Sequence, residues 1–514
     1  MSPTSPMSRR TALGVLGLGA AGVAGLTGCA DTTPPVRKKA ASGNNPVTAE
    51  NSLTGSGGWH VPPDGRHTAK DRLGQIQGYA SATSVGRGET IAFHVSLRKA
   101  QPFTVTVHRI GHYGGTGGRS MVTSPELPGA PRPTPKPDPD NGAIVCDWPV
   151  SWTLTVPDDW TSGAYVAVFT AEDGHRSLTP FVVREPARPS DLLVVLPFAT
   201  YQAYNQWPLD GRTGKNLYKG YARPGVVGDN KHRAFRVSFD RPYSDHGLPR
   251  WAELDLAFIR WVERHGYDAT YATSTDLHEG RVDPAQYTAM VFPGHDEYWS
   301  KPMRDVVESA VDQGTHVAFL AANNIYFHVR LADDAHGTPC RAVVCHKQDH
   351  DPHADENGPT TRWRDLPGEH GEKHGRAEQG LLGVQYNGIL AEPAPLVVRE
   401  PAHWFWSGTG LRDGEEIAGL VGVEADGHNP KMPSPRGASR TLLSESPYGD
   451  TWGKGGGRGR RVQNTSLTEH ADGTLVFVAG TFHWSLALGD PAHAEPRVQR
   501  ATKNLLDRML TPRT

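Results

Sequence analysis

This sequence contains little cysteine, no large excess of positive or negative charge and no long apolar runs. Four cysteines in 514 residues are too few for a disulfide scaffold. The 53 Lys and Arg residues nearly balance the 55 Asp and Glu residues, which argues against a nucleic-acid-binding protein. No segment offers the roughly 18 apolar residues that a membrane-spanning helix requires. A chain of this length buries a sizeable core, so we expect about two to four domains.

Two catalytic signatures are also missing. The sequence contains no Gly-x-Ser-x-Gly nucleophile elbow and no His-Glu-x-x-His zinc motif. Where a hydrolase with a catalytic triad would turn sharply after a strand, this chain has Asn323 and Asn324, which cannot attack a substrate. We therefore expect neither a covalent serine or cysteine nucleophile nor a zincin.

Glycine, proline and tryptophan are plentiful. The 58 glycines and 42 prolines make up about a fifth of the chain, above the usual share of about 12%. Loops and β-structure should therefore outweigh helix. The 13 tryptophans favour a folded enzyme or binding protein over a fibrous one.

The N-terminus resembles an export signal. Arg9 and Arg10 form a twin-arginine pattern, residues 12–28 are uncharged and weakly apolar, and residues 26–29 resemble a bacterial lipobox ending in Cys29. We expect folded export by the twin-arginine route and acylation of Cys29. The protein would then be a lipoprotein on the outer face of the cytoplasmic membrane, anchored and not embedded. A plain signal with an incidental cysteine is the alternative.

The rest of the chain divides by composition and period. We predict a signal at residues 1–29, a flexible tether at 30–58, a β-sandwich at 59–185 and an α/β domain at 190–514 with a polar insertion at about 331–380. Short alternating strands, for example at residues 90–96 and 103–108, indicate an all-β immunoglobulin-like sandwich. Beyond residue 190, apolar strands alternate with amphipathic helices, which predicts a doubly wound α/β domain. This domain resembles the class I glutamine-amidotransferase-like type.

Polar side chains follow the predicted strands of the α/β domain. Ligands of open α/β sheets bind beyond the carboxyl ends of the strands. The segments at those ends contain Tyr201, Tyr204, Tyr243, His295, Glu297, Asn323 and His483. A site of two tyrosines and one glutamate would supply hard oxygen donors, which suit a small, highly charged cation such as ferric iron. Such an ion could polarise an amide carbonyl.

Several runs in this half resemble the large (beta) subunit of N,N-dimethylformamidase and its family. They lie at residues 201–205, 237–243, 260–268, 293–299, 318–324, 381–384, 408–411 and 479–484. The resemblance implies hydrolysis of small amide C–N bonds at a mononuclear iron (Fe³⁺) site. The implied ligands are Tyr204, Tyr243 and Glu297, with Tyr201 competing for the first position.

The resemblance also implies roles for other residues. His295 would act as base or electrophile beside the metal, and Glu424 is a weaker candidate for a second acid or base. Tyr201, Asn323 and His483 are candidates for binding the substrate. The family enzyme is cytoplasmic and has two subunits, whereas this chain carries an export pattern. A different substrate, a homo-oligomer and a small partner subunit therefore stay open.

Two alternatives remain. The first is a non-catalytic envelope protein that binds glycan or peptide through its β-sandwich and aromatic loops. The second is a zinc site in the insertion, from irregularly spaced candidates: His336, His346, His350, His353, His370, His374, Cys340 and Cys345. We favour a solvated loop there, with oxidation of Cys340 and Cys345 left open, and we expect Cys146 to be buried.

Overall fold

The computed structural model describes residues 45–188, 190–368, 370–451 and 460–512. The predicted signal, Cys29 and residues 30–44 of the predicted tether lie outside these residues. Within the described part, no helix combines the length and apolar character needed to cross a bilayer.

A short helix, α1 (Pro46–Asn51), begins the described chain. The Asn45 side chain caps it by accepting hydrogen bonds from the backbone amides of Val47 and Thr48. Glu50 accepts hydrogen bonds from Tyr113 and Arg119, both at 2.7 Å. Residues 45–51 are therefore folded against the rest of the protein, and the prediction of a flexible tether is wrong for them.

The first half of the chain is built mainly from antiparallel strands, with one parallel pairing between the strands at Ser84–Gly86 and Arg176–Arg184. They are β1 (Ile76–Ala80), β2 (Ser84–Gly86), β3 (Thr90–Leu97), β4 (Gln101–Ile110), β5 (Gly118–Thr123), β6 (Leu127–Gly129), β7 (Trp152–Thr155), β8 (Gly163–Ala171) and β9 (Arg176–Arg184). One sheet has the order β1-β3-β7, and the other has the order β2-β9-β8-β4-β5 with β6 beside β4.

The two sheets share a core. The ring of Phe93 on β3 lies 6.2 Å from the ring of Phe169 on β8 and 5.9 Å from that of Phe181 on β9, all three fully buried. The strands predicted at residues 90–96 and 103–108 are confirmed. Whether this β region is an immunoglobulin-like sandwich stays a prediction.

The second half alternates strands and helices. Its strands are β10 (Leu192–Leu196), β11 (Tyr221–Arg223), β12 (Val226–Val227), β13 (Arg236–Ser238), β14 (Ala269–Thr273), β15 (Ala289–Phe292), β16 (Tyr298–Ser300), β17 (His316–Phe319), β18 (Phe327–Ala332), β19 (Ala342–Val344), β20 (Gln385–Ile389), β21 (Ala394–Val397), β22 (Glu416–Val421), β23 (Glu424–Gly427), β24 (Ala438–Leu442), β25 (Ser446–Gly449), β26 (Arg460–Gln463), β27 (Ser466–His470) and β28 (Leu475–Val478). Its helices are α2 (Phe198–Tyr204), α3 (Ala252–Arg264), α4 (Ser274–His278), α5 (Lys301–Asp312), α6 (Gln379–Leu382), α7 (His483–Gly489) and α8 (Pro496–Leu510).

A seven-stranded sheet organises this half, in the order β14-β10-β15-β17-β28-β27-β24. The first five strands are parallel, β27 pairs antiparallel with β28, and β24 pairs antiparallel with β27. Leu192, Val194 and Leu196 of β10 join one buried core with α3 and α8, while the side chains between them join a second core with α5. Both faces are therefore covered, which explains why β10 is a continuous apolar run. The doubly wound, class I glutamine-amidotransferase-like assignment stays a prediction.

A smaller sheet, in the order β13-β19-β18-β16, connects the predicted insertion to the rest of this half. Strand β19 lies inside the segment at about 331–380 and pairs with β13, which precedes it by about 100 residues. The insertion is therefore not a separate appendage, because one of its strands completes a sheet beside the candidate site.

Buried polar contacts join the two halves. Arg109 of β4 forms a fully buried ion pair with Glu263 of α3, with Nη2 and Oε1 2.7 Å apart. Glu263 also accepts hydrogen bonds from Tyr271 at 2.8 Å and Asn51 at 2.7 Å. Gly111 passes so close to Glu263 that a Cβ atom there would lie 2.4 Å from the carboxylate, so a larger residue would displace the pair.

Candidate metal and active site

The candidate site lies beyond the carboxyl ends of β10 and β15. One residue separates β10 from helix α2, which ends at Tyr204. Glu297 is the fifth residue after the end of β15. The two strands are parallel neighbours, so the segments that follow them emerge at the same edge of the sheet. The Thr200 hydroxyl accepts hydrogen bonds from the backbone amides of Glu297 at 3.0 Å and Tyr298 at 3.2 Å. Helix α2 thus fixes the turn that carries Glu297.

Three side chains bring their oxygen atoms together there, and we call Tyr204, Tyr218 and Glu297 the oxygen cluster. The Tyr204 hydroxyl donates to Glu297 Oε2 at 2.7 Å. The Tyr218 hydroxyl lies 2.7 Å from both Glu297 oxygens and 2.9 Å from the Tyr204 hydroxyl. Oxygens bound to one small cation at about 2.0–2.2 Å lie about 2.8–3.1 Å apart along an octahedral edge. The spacing and the hard donors therefore fit a small cation of high charge.

The phenols of the oxygen cluster are protonated without a metal. Burial, and after it the charge of Glu297, raises the pKa of both Tyr204 and Tyr218 well above the usual value. A cation that binds here must displace those protons, so metal binding would be coupled to proton release. In the described ranges, no group of three or more His, Cys, Asp or Glu side chains is placed to hold a metal. A metal at the oxygen cluster would therefore depend on tyrosine ligands.

His295 lies against the oxygen cluster. Its Nδ1 is 3.1 Å from the Ala322 carbonyl oxygen, which can only accept, so Nδ1 carries a proton. Its Nε2 lies 3.1 Å from Glu297 Oε2 and 3.3 Å from the Tyr204 hydroxyl. The Phe482 ring packs against the imidazole with 4.5 Å between ring centroids.

The charges of His295 and Glu297 support each other. Burial lowers the pKa of His295, but the hydrogen bond to Glu297 and the charge of Glu424 outweigh it, so the pKa is raised overall. Burial raises the pKa of Glu297, but the hydrogen bond and charge of His295, with Lys347, lower it overall. Without a metal, each of the two groups therefore favours the charged form of the other.

A second cation covers the other side of the oxygen cluster. The Lys347 ammonium lies 3.2 Å from the centre of the Tyr218 ring and 4.6 Å from that of Phe327. Burial lowers the pKa of Lys347 to about 8, with the charge of Glu297 opposing this shift. The backbone of Lys347 is left-handed, with φ of 57°, which directs the side chain inward from the loop after β19.

Glu424 and Asn323 face the same site. Burial, with the charge of Glu297, raises the pKa of Glu424 from 4.5 to about 7, while the charge of His295 and a hydrogen bond from Asn323 oppose the rise. The Oε2 atom of Glu424 is buried without a hydrogen-bond partner. Asn323 has φ of 56°, and its backbone amide donates to Asp426 at 2.8 Å.

Backbone strain surrounds these two residues. The β-branched residues Ile325 and Val423 have φ of 56° and 66°, in a region that such side chains rarely adopt. Each lies within two residues of Asn323 or Glu424. Strain of this kind persists where the surrounding structure holds a functional geometry in place.

Tyr243 and Tyr201 are not part of the oxygen cluster. The buried hydroxyl of Tyr243 has no hydrogen-bond partner, and the charges that act on it are those of Arg341 and Arg241. Tyr201 donates its hydroxyl to Asp255 instead. The structure therefore brings Tyr218, and not Tyr243, to Tyr204 and Glu297, and the metal ligands stay a prediction. Of the two candidates for the first position, Tyr204 is the one that reaches Glu297.

His483 does not reach the oxygen cluster either. Its Nδ1 lies 2.8 Å from the Gly419 carbonyl oxygen, and its chain neighbour Phe482 contacts His295 instead. The histidines of the insertion form no metal-binding group in the part of the chain that the structure describes. Cys146, Cys340 and Cys345 are buried free thiols, so Cys340 and Cys345 are not oxidised to each other, and the expected burial of Cys146 is confirmed.

Sequence reasoning missed Tyr218 and Lys347. Tyr218 lies in an irregular stretch between α2 and β11, so no preceding strand marks it. The one signal nearby is Asn216, whose side chain accepts from the Tyr218 amide at 2.9 Å and donates to the Tyr204 carbonyl at 2.9 Å. Asn216 is a turn-forming residue that fixes Tyr218 beside Tyr204.

Comparison with known proteins identifies a matching family. The family described as N,N-dimethylformamidase beta subunit-like, C-terminal, matches residues 104–497. Two curated relatives are similar to part of the chain, and both are named N,N-dimethylformamidase beta subunit. The one from Paracoccus aminophilus is 25% identical and the one from Alcaligenes sp is 24% identical, and each match covers 36% of this chain. The match spans 28% of the length of either relative.

Similarity to solved structures is slight. A cellulose-active LPMO in complex with copper is 19% identical over 20% of this chain and 52% of its own, with a TM-score of 0.14.

Proposed function

Because the chain belongs to the N,N-dimethylformamidase beta subunit-like family, we propose that it hydrolyses the C–N bond of small amides at the oxygen cluster. The observation that carries the proposal is the convergence of Tyr204, Tyr218 and Glu297 within hydrogen-bond distance of one another. The imidazole of His295 and the carboxyl of Glu424 lie beside them, so proton-transfer groups and hard donors share one site.

We propose that Tyr204, Tyr218 and Glu297 hold a mononuclear ferric ion. The residues fit the ion because all three donors are hard oxygens and the phenols lose their protons on binding. When bound, the ion would act as a Lewis acid that polarises the amide carbonyl. Lys347, above the Tyr218 ring, would stabilise the phenolate electrostatically.

His295 is placed to activate the attacking water. Its Nδ1–H is committed to the Ala322 carbonyl, so in the neutral ring the Nε2 lone pair points to the oxygen cluster. As water attacks the carbonyl carbon, one water proton passes to Nε2 and a C–O bond forms. The Ala322 contact keeps the ring in the tautomer that this step requires.

Glu424 is placed to complete the reaction. Its pKa of about 7 keeps a proton available near neutral pH, its Oε2 is buried without a partner, and its charge interacts with those of His295 and Glu297. When the C–N bond breaks, this proton passes to the amide nitrogen, so the products are a carboxylic acid and an amine. The proton held by His295 can then return to Glu424 for the next cycle. Asn323 holds the carboxyl in place through its hydrogen bond.

Metal analysis of the purified full chain tests this proposal. We expect about one iron per chain, a visible phenolate-to-iron absorption band and amine release from a panel of small amides. Tyr218→Phe should lose the iron and the band, and Tyr448→Phe, which removes another buried hydroxyl, should keep both. A wild-type chain without iron and without amine release would contradict the proposal and leave the non-catalytic envelope protein as the alternative.

We also propose export and lipid anchoring through Cys29, on the strength of the twin-arginine and lipobox patterns alone. Cys29→Ser should release the protein from the membrane fraction, and an unchanged distribution would contradict the anchor. Since the curated relatives are named beta subunits, we further propose that this chain binds a small partner subunit. Its mass in solution, measured after purification from its native cell, tests that proposal against a homo-oligomer.

A further inference from the structure

A small cavity lies between the two halves of the molecule, and we call it the junction cavity. Its volume is about 10 Å³, which is enough for one particle the size of a water molecule. Its walls come from the β region and from the second half: Tyr79, Thr83, Pro180, Phe239, Arg241, Tyr243 and Arg341 are among them. No member of the oxygen cluster lines it. It is therefore a site distinct from the one described above.

Two hydrogen-bond donors of the junction cavity have no acceptor. The hydroxyl of Tyr243 and the Nε of Arg241 are both buried and without a partner. The other guanidinium nitrogens of Arg241 are bound, with Nη2 donating to the Asn205 carbonyl at 2.7 Å and Nη1 to the Lys215 carbonyl at 3.2 Å. Buried donors almost always find a partner in folded proteins. An occupant of the cavity would be that partner.

The junction cavity also has an unbalanced positive charge. Arg241 is 1% exposed, and no carboxylate contributes to its electrostatic environment. Arg341 lines the same cavity, but Asp240 balances its charge, with Nη2 and Oδ1 2.6 Å apart. Tyr243 cannot supply the missing negative charge, because burial raises the pKa of its hydroxyl. A buried cation without a counter-charge is unfavourable.

We propose that the junction cavity binds a monatomic anion, chloride in the cell, between the Tyr243 hydroxyl and the Arg241 Nε–H. A water molecule would satisfy the two donors but would leave the charge of Arg241 unbalanced. A chloride ion is somewhat larger than a water molecule, so the lining side chains would shift outward slightly to hold it, and a polyatomic anion such as phosphate would need a much larger shift. The anion would lie between the two halves, since Tyr79, Thr83 and Pro180 of the β region also line the cavity.

Bromide diffraction gives a direct test. Crystals of the full chain grown in sodium bromide should show an anomalous peak within hydrogen-bond distance of the Tyr243 hydroxyl and the Arg241 Nε. Density for a water alone, with no anomalous signal at this position, would overturn the proposal.

Thermal unfolding in solution tests the same site at a lower anion concentration than in the crystals. The full chain should melt a few degrees higher in sodium chloride than in sodium gluconate of equal ionic strength, because an anion that binds the folded state stabilises it. Tyr243→Phe should lose this difference. Tyr448→Phe is the matched control, because its hydroxyl is also buried without a partner but does not line the cavity.

Two results of the unfolding experiments would overturn the anion proposal. Equal chloride dependence in the wild type and in Tyr243→Phe would overturn the proposal. If Tyr243→Phe does not fold, a bromide titration of the wild type decides, and the absence of a saturable rise in Tm is then the negative result. None of these measurements depends on amide hydrolysis or on iron.

Discussion

The oxygen cluster and the junction cavity both bury tyrosine hydroxyls beside cations, yet they satisfy them in different ways. In the oxygen cluster, Tyr204 and Tyr218 converge on one carboxylate, and His295 and Glu297 balance each other's charge. In the junction cavity, Tyr243 has no partner and Arg241 has no carboxylate. This difference is why we propose a cation where the phenols converge on a carboxylate, and an anion where a phenol lies beside a guanidinium without a carboxylate.

The largest expected effects come from replacing one tyrosine of each region, Tyr218 of the oxygen cluster and Tyr243 of the junction cavity, by phenylalanine. Tyr218→Phe removes a donor from the oxygen cluster, so we expect bound iron to fall at least about tenfold and amide hydrolysis at least about 100-fold. Tyr243→Phe should keep its iron, because its hydroxyl contacts no member of the cluster. Elemental analysis and amine release measure both effects. Iron lost equally from the two variants would remove the distinction between the regions.

Glu297→Gln would turn the oxygen cluster into a second region of unbalanced charge. In the metal-free chain, His295 and Lys347 would lose the carboxylate that balances them. We expect the free energy of unfolding to fall by about 3 kcal/mol, as for other buried ion pairs that lose one partner. Urea unfolding of the metal-free variant and wild type measures the change. A difference below about 1 kcal/mol would show that the cluster tolerates excess positive charge as the cavity does.

Glu424 gives the metal-free protein a pH dependence that the junction cavity lacks. Its pKa is raised in the folded state, so its contribution to stability is present below about pH 4.5 and is lost as the pH rises through about 7. Because the residue is only partly buried, we expect a loss of about 1–2 kcal/mol. Urea unfolding across this range should show a flatter profile for Glu424→Gln than for the wild type. Identical profiles would assign the slope to other groups.

The smallest expected effect on stability is that of Tyr448→Phe, which serves as a control for Tyr243→Phe. Its hydroxyl is buried without a partner, as in Tyr243, but it does not line the junction cavity, and the nearby Arg461 is paired with Asp450. Removing an unsatisfied hydroxyl there should change the free energy of unfolding by less than about 1 kcal/mol. A larger loss, measured by urea unfolding, would mean that the hydroxyl has a partner, and Tyr448 would no longer serve as a control.

The sequence predicts the parallel strands well because their signal is local. Leu192–Leu196 is a five-residue apolar run, and both faces of that strand are indeed buried. Ligands of such sheets bind at the carboxyl ends of the strands. This rule and the family motifs together predict Tyr204, His295, Glu297 and Asn323 as site residues. All four lie at the candidate site.

The errors come from contacts that are distant along the chain. Tyr218 follows no strand and reaches Glu297 across 79 residues, so neither hydrophobic period nor strand position marks it. Tyr243 carries the expected residue type after the expected run, but its side chain turns into the junction cavity. The polar composition of residues 45–51 is typical of a tether, yet Glu50 and Asn51 have partners in both halves of the molecule.

The ion pair of Arg109 and Glu263 limits how this protein can be divided. Cutting the chain between the halves would leave one unpaired charge on each new surface, in a region shaped to exclude water. Neither fragment is then a self-sufficient module that recombination could move into another protein. The β region and the second half are expected to unfold in one cooperative transition and to be inherited together.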